Sequence, residues 1–515
     1  MSKIDRSVQF KNGSMSSILI FIAVCVFIVA NLAVYTLPTS KTSFSTSGID
    51  YYDFSSVTKN YIKNELKEDI VLHVLSDPNG QYDDYVLNLC KVFSELSGKI
   101  TVNKVDTAVS PTFISNYGIS VTESYSNGII IEAKESGKSK FIGFDKLYTT
   151  TTGYDENYNT VYSYSYDGEG QLISAIYNLT SDAAVTLYEV IGNGQMGLDN
   201  YTLLSDAFEK NNITLAGSLT LANETEIPKD CDVLVIAYNT PEVSDLTQAE
   251  AQLLKDYVLS GGNIIVIFNN IGISDYPNLN SVLEYIGVKV ENGFINENDS
   301  SRVYAQLQQT FGNTAFMPVI SPYSNITKDL TNSYMCAFLA SPVNEVDTDA
   351  FEPVYTDLLN TSSNFTLQVF SVDSESSDEE NTADETDSGE DKVANKTASV
   401  DYNVAAAIAK YIDLKVNPDS TEESGHALVI GCSYFLENVM QDNTITSNNV
   451  KLLTNAVSQM TGSAGPIYVE PKTEDEKINV TTQSNVNLYT IIFIVLLPLC
   501  ILLLGFTVWF IRRSK

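Results

Sequence analysis

The chain has 515 residues, 44% of them hydrophobic and 10% aromatic, enough apolar material for about two or three packed domains with linkers. Its formal net charge is −34, yet the two tails carry Lys3, Arg6, Lys11, Arg512, Arg513 and Lys515 against Asp5 alone, which leaves −39 on the middle. A surface that negative repels phosphate backbones and excludes nucleic acid as a partner.

Residues 1–15 form a short basic tail. Residues 16–37, SSILIFIAVCVFIVANLAVYTL, hold no charge and only Asn31 as a strongly polar group. At ~1.5 Å rise per residue they are long enough for a hydrocarbon layer about 30 Å thick. The apolar run exceeds a signal-peptide core and leads into Leu37-Pro38-Thr39-Ser40 without a small-x-small cleavage site, so an uncleaved anchor is expected. After a short extended stretch, residues 57–148 alternate strand and helix patterns. DIVLHVL (69–75) reads as a buried strand, and Tyr85, Leu89, Val92, Phe93 and Leu96 follow at helical spacing. KITVNKVD (99–106) is a second strand, and GIIIEA (128–133) with KFIGF (140–144) a hairpin. This β-α-β-(α)-β-β order resembles a thioredoxin-like domain. The loop after its first strand, SDPNGQ, has no Cys-x-x-Cys, so the redox chemistry of such folds is not expected.

Residues 149–166 read as Tyr- and Thr-rich connection. A doubly wound α/β domain of flavodoxin or amidotransferase type is expected over 165–463. Its strands are AVTLYEVIG (184–192), ITLAGSL (213–219), CDVLVIAY (231–238) and NIIVIF (263–268); helices lie over 200–212 and 246–259, the latter stopped by Ser260-Gly261-Gly262. SVLEYIGVKVENG gives a helix and then a strand. Residues 371–396 are an acidic, low-complexity tract expected to be a disordered insertion. Structure should resume with a helix over 404–412, the strand HALVIGCS (426–433), which should return to the same sheet, and a helix over 448–460. Residues 464–487 read as an extended stalk. Residues 488–511, LYTIIFIVLLPLCILLLGFTVWFI, form a second span ending on Arg512-Arg513, with 512–515 as the closing tail. Basic residues at the outer end of each span place both termini in the cytoplasm and residues 38–487 outside it.

Chemistry-bearing motifs are few. Gly192-Asn193-Gly194-Gln195-Met196-Gly197 is a literal G-x-G-x-x-G between a strand and a helix, where backbone N–H groups can approach a pyrophosphate. The acidic residue expected near the end of the next strand is missing, so a tight turn is the plainer reading. Glu135-Ser136-Gly137-Lys138-Ser139 lacks the first glycine of a P-loop and fits a hairpin turn. His426 and Cys432 lie about 20 Å apart at strand rise, and Tyr434 occupies a position that a nucleophile elbow keeps small. His73 and Cys432 read as buried structural residues. The six cysteines (Cys25, Cys90, Cys231, Cys336, Cys432 and Cys500) have neither disulfide nor metal spacing. Asn178-Leu179-Thr180 and Asn223-Glu224-Thr225 are glycan acceptors only in a secreted eukaryotic protein. No catalytic, metal or cofactor residue is assigned.

Several stretches together carry a resemblance. They are Asp50-Tyr51-Tyr52-Asp53, Tyr166-Asp167-Gly168-Glu169 before LISAI, Gly192-Asn193-Gly194-Gln195, the strand Asp232–Ile236 and Gly261-Gly262-Asn263. Pro277-Asn278-Leu279-Asn280, Gly431-Cys432-Ser433-Tyr434-Phe435-Leu436 and Asn455-Ala456-Val457 complete the set. In this order the chain resembles the GldG-type family, auxiliary subunits of ABC transport systems associated with gliding motility. The resemblance implies a bacterial plasma-membrane protein, not an enzyme, working beside an ABC-2-type permease and a separate cytoplasmic ATPase. Members often show Gly-His-Gly-Glu where this chain has Gly192-Asn193-Gly194-Gln195. Without the two ionisable groups, that loop is at most a polar surface for a ligand or partner. The rival readings are a membrane-anchored sensor that binds a small ligand at the carboxyl ends of its strands, and an extracytoplasmic hydrolase of amidotransferase-like fold.

Overall fold

A computed structural model describes residues 52–462 except 78, 111, 119–127, 155–159, 182–183, 241–242, 272–275, 373–394, 416–424 and 441, together with 469, 471–473 and the positions 21, 25, 28 and 29. The chain is mixed α/β and divides into two compact units: Met1–Thr150 with Ser163–Glu169 and Val469–Lys515, and Thr151–Tyr162 with Gly170–Tyr468. Among the described residues no helix is long and apolar enough to cross a membrane. The two expected spans, 16–37 and 488–511, lie outside the described residues apart from Phe21, Cys25, Ile28 and Val29, all four helical.

The first unit starts with α1 (Ser56–Asn60) and continues through β1 (Ile70–Leu75), α2 (Asp84–Leu96), β2 (Ile100–Val105), β3 (Gly128–Ala133) and β4 (Ser139–Gly143). Asp83 caps α2 by accepting the Val86 N–H, and the helix buries Val86, Leu89, Cys90, Val92 and Phe93 along one stripe. The sheet runs β2-β1-β3-β4. β1 and β2 are parallel, as a helical crossover between them requires, and β3 and β4 add antiparallel as a hairpin.

Residues 149–166, read from sequence as connection, are instead largely two strands, β5 (Tyr148–Tyr154) and β6 (Thr160–Tyr166). The β-branched Thr run of β5 and the Tyr-Ser alternation of β6 both suit pleated strands. Of the stalk expected over 464–487 only 469 and 471–473 are among the described residues, and there Lys472–Thr473 (β22) is strand, pairing antiparallel with β6 of the first unit.

The second unit holds α3 (Gly168–Thr180) except for its first two residues, which belong to the first unit. Its order is β7 (Val185–Ile191), α4 (Thr202–Lys210), β8 (Ile213–Thr220), β9 (Val233–Ala237), α5 (Gln248–Leu259), β10 (Ile264–Ile267), α6 (Pro277–Tyr285), β11 (Val288–Val290) and β12 (Phe294–Glu297). Next come α7 (Ala305–Phe311), β13 (Ala315–Phe316), β14 (Val319–Ile320), β15 (Ala337–Phe338), β16 (Val343–Glu345), β17 (Glu352–Asn360) and β18 (Phe365–Val372). β19 (Asn395–Tyr402), β20 (Ala407–Lys415), β21 (Gly425–Ile430) and α8 (Asn443–Thr461) close it.

One sheet of eight strands, β14-β17-β20-β21-β10-β9-β7-β8, organises this unit. The five strands from β21 to β8 are parallel. Counted in chain order they run 5-4-3-1-2, so the winding reverses between β7 and β9. The central strands VLVIA and IIVI are buried throughout because both faces are covered. Val233, Val235 and Ala237 pack in one core with Leu204 and Phe208 of α4 and Val450, Leu453 and Val457 of α8. Leu234 and Ile236 face the other way, into a core with Leu254 and Val258 of α5 and Val282 and Leu283 of α6.

Two sequence expectations change here. Residues 404–412, read as a helix, are mostly strand β20, which pairs antiparallel with β17 on one side and β21 on the other. Ala406-Ala407-Ile408-Ala409 has the propensity of a helix, but burial on both faces of the sheet overrides it. β21 does return to the sheet, beside β10. The acidic tract is narrower than 371–396: Ser371 pairs with Lys396 and Val372 with Asn395 in the β18–β19 hairpin, so the connection is 373–394, which lies outside the described residues.

Candidate functional site

In an open sheet whose winding reverses, the crevice beyond the carboxyl ends of the strands is where ligands bind. Here the crevice lies between β7 and β9, and Gly192-Asn193-Gly194-Gln195 leaves β7 directly into it. Gly192 (φ 114°) and Gly194 (φ 97°) hold backbone that L side chains rarely adopt. A Cβ on Gly192 would also stand 2.8 Å from Thr220 Cγ2 at the end of β8.

Most of the groups that could receive a ligand already hold partners from the chain itself; the buried Gln195 Nε2 donor holds none among the described residues. Asn239, just past β9 and buried, takes the Met196 N–H on Oδ1 (3.0 Å) and donates from Nδ2 to the Met196 carbonyl (2.9 Å) and to Tyr201 Oη (3.1 Å). Tyr201 in turn donates to Glu437 Oε1 at 3.1 Å. Burial, and secondarily the Glu437 charge, push the Tyr201 hydroxyl well above the usual phenol range, so it stays a donor. Thr240 Oγ1 donates to the Gly194 carbonyl (2.9 Å), the Ser244 N–H to the Asn193 carbonyl (2.8 Å), and Asn193 Nδ2 to the Asp245 carbonyl (3.2 Å). The Asn193 N–H is satisfied within the loop by Gln195 Oε1 at 2.9 Å.

Two carboxylates take up further donors around the loop. Glu189, in β7 and buried, accepts the Leu198 N–H at 2.6 Å and Ser218 Oγ at 2.6 Å. Asp245 accepts the N–H groups of Asn278 (2.8 Å) and Leu279 (3.0 Å), filling the positive N-terminus of α6. Across β10 and β21, Ser433 Oγ accepts the Asn269 N–H (3.0 Å) and donates to Asn269 Oδ1 (2.8 Å). The crevice is a stitched seam. A cavity of about 460 Å³ lies instead at the amino ends of β9 and β10, lined by Lys229, Cys231, Asp256, Tyr257 and Gly261 among others.

The other sequence candidates are structural. His73 is buried; Asn103 Nδ2 donates to its Nδ1 (3.0 Å), leaving Nε2 to donate to Glu132 Oε2 (2.8 Å), which also accepts Tyr117 Oη (3.0 Å). The Lys134 ammonium hydrogen-bonded to Glu132, with His73 and Tyr117 adding to it, brings that carboxyl down to about 2. The Gly-Lys-Ser segment is the β3–β4 turn, whose Glu135 and Ser136 N–H groups both go to Glu68 Oε2 at 3.1 Å. His426 Nδ1 pairs with Asp413 at 2.9 Å. The Cys432 thiol is buried, donates to the Phe338 carbonyl (3.2 Å), and is pushed up to about 11 by burial.

The motifs that carried the resemblance prove to be joints. Glu169 of Tyr166-Asp167-Gly168-Glu169 accepts the Ser55 N–H (2.7 Å) and lies 3.5 Å from Lys472 Nζ, which itself donates to the Asp53 carbonyl (2.7 Å). One buried carboxylate thereby ties the chain near Asp53 and Ser55 to the chain near Lys472. Asn263 donates to the Asp232 carbonyl and accepts the His426 N–H. A Cβ on Gly431 would stand 2.2 Å from the Ser341 carbonyl oxygen, so β21 can pass there only as glycine. Asn455 Nδ2 bonds the Ile326 carbonyl at 2.8 Å.

Residues 190–456, more than half of the chain, match the family described as "ABC-type uncharacterized transport system". The chain belongs to this family. It is an auxiliary component of an ABC-type transport system, and the matched stretch runs from the end of β7 into α8, the seam included apart from Glu189. No curated protein matches it. A solved structure, the mmIFT52 N-terminal domain, is similar at 16% identity over 55% of this chain and 100% of that one, with a TM-score of 0.34, a likeness on which nothing further rests.

Proposed function

We propose that this auxiliary component is a non-catalytic, two-pass subunit of a bacterial plasma membrane, GldG-type in kind, whose ectodomain works outside the cytoplasm beside an ABC-2-type permease and a separate cytoplasmic ATPase. On this reading the first unit is a thioredoxin-like scaffold and the second a doubly wound one. The observation that carries the non-catalytic part is the seam between β7 and β9, where Glu189, Asn239 and Asp245 are hydrogen-bonded to the chain's own loops. A crevice that binds substrate keeps donors open for it; this one spends most of them on its own loops and leaves Gln195 Nε2 free. The Glu169–Lys472 joint supports the two-pass part, since it brings the segments following one apolar run and preceding the other to the same place. Phe21, Ile28 and Val29 are helical with their apolar side chains exposed, as lipid-facing residues are.

Fusions of alkaline phosphatase test the arrangement. Activity is expected after Ser56 and none after Lys515. Activity in the second fusion would overturn the topology, and ATP or dinucleotide turnover by the purified full chain would overturn the non-catalytic reading.

A further inference from the structure

The cavity at the amino ends of β9 and β10 holds charges that the chain itself does not use. It lies within the second unit, between the β8–β9 connection and the carboxyl end of α5. Its deep part is apolar: Ile227 is buried, and Pro228, Leu253 and Tyr257 are half-buried. The Tyr257 ring lies back against the turn after α5 because residue 262 is glycine; a Cβ there would stand 2.5 Å from ring carbons. Tyr257 Oη donates to the Asn263 carbonyl at 3.2 Å, and Cys231 Sγ lies 3.6 Å from the same hydroxyl. These contacts fix the wall without help from a ligand.

Three ionic side chains stand at the mouth, the exposed Glu226, Lys229 and Asp256. Among the described residues Glu226 and Lys229 have no hydrogen-bond or ion-pair partner, and Asp256 spends one carboxylate oxygen on Gln252 Nε2 at 2.8 Å. α5 has no basic residue in its last turn, so the negative end of the helix adds to the two carboxylates. Charge then decides what fits. An anion meets Glu226, Asp256 and a chain of net charge −34. A cation meets Lys229. A body that carries both signs and an apolar part suits all three features.

We propose that this cavity binds a small zwitterion, an amino acid or a short peptide. Its carboxylate meets Lys229, its ammonium meets Asp256 and Glu226, and its apolar side chain lies against Ile227, Leu253 and Tyr257. A volume of about 460 Å³ is within the range of small-ligand sites. The proposal is independent of the membrane arrangement above and leaves the β7–β9 seam closed.

The test is isothermal titration of the full chain in detergent with four compounds. Phenylalanine and the dipeptide alanyl-phenylalanine carry both charges, N-acetylphenylalanine lacks the ammonium, and phenylalaninamide lacks the carboxylate. Phenylalanine or the dipeptide should bind, and each blocked compound should bind about tenfold weaker or less; the tighter of the first two tells a free amino acid from a peptide. Lys229→Met should erase the preference over the amide alone, and Glu226→Gln with Asp256→Asn the preference over the acetylated form alone. All three side chains are exposed, so these variants should keep the wild-type melting temperature. Independently of any variant, saturating phenylalanine or dipeptide should slow alkylation of Cys231, followed by peptide mass mapping, about tenfold. No binding up to about 10 mM, equal binding of all four compounds, preferences indifferent to the variants, or unchanged alkylation would each overturn the proposal.

Discussion

Replacing residues 373–394 by a four-residue Gly-Ser connector perturbs one quantity, the closure of the β18–β19 hairpin. Val372 and Asn395 are already paired, so the connection spans no distance that a short turn cannot. Closure entropy changes by about 0.6 kcal/mol per doubling of length, and going from 22 residues to 4 is about two and a half doublings, so the variant should gain about 1.5 kcal/mol. Removing ten carboxylates from a chain of net charge −34 acts in the same direction. Urea unfolding followed by circular dichroism reads this as a higher midpoint at unchanged slope. A loss of stability of about 1 kcal/mol or more, against the expected gain, would show that the connection makes native contacts and refute the reasoning.

Other consequences are open to the same assays. Glu189→Ala leaves the buried Leu198 N–H without an acceptor and should cost about 2–3 kcal/mol in urea unfolding; no loss would mean that Glu189 does not fasten the seam. Glu132 has a folded pKa of about 2, below its ordinary 4.5, so the stability it adds is present above about pH 4.5 and lost as pH falls toward 2. Glu132→Gln should flatten that part of the acid limb, and an unchanged limb would exclude the Lys134–Glu132–His73 cluster as its source. Glu169→Ala should expose the chain near Ser55 and Lys472 to protease together, because both are held by that carboxylate; cutting at one alone would contradict the joint.

The strands of the parallel sheet were legible because double-sided burial writes an unbroken apolar run, as in VLVIA and IIVI. β20 was not, since Ala and Ile in succession satisfy a helix as well as a buried strand and only the neighbours β17 and β21 decide. β12 to β18 were largely illegible. Most are short, and strands such as Glu352–Asn360 mix exposed and half-buried positions without clean alternation. At the site, the glycines of 192–197 announced a turn with unusual backbone, and φ bears that out at Gly192 and Gly194. The partners that fill the turn, Asn239, Thr240 and Asp245, come from more than forty residues further along the chain, and no local pattern in the sequence points to them. Glu169 and Lys472, separated by 303 positions, were invisible as a pair for the same reason.

The central claim is that the chain is a standing subunit of a transporter and does no chemistry of its own. Mild-detergent purification of the full chain from its native membrane, followed by sizing and mass spectrometry, tests it most directly. The account predicts one peak holding the chain, an ABC-2-type permease and an ABC ATPase, with all ATP hydrolysis lost when the Walker lysine of that ATPase is replaced. A chain that elutes free of both, or hydrolysis that survives the replacement, would contradict it.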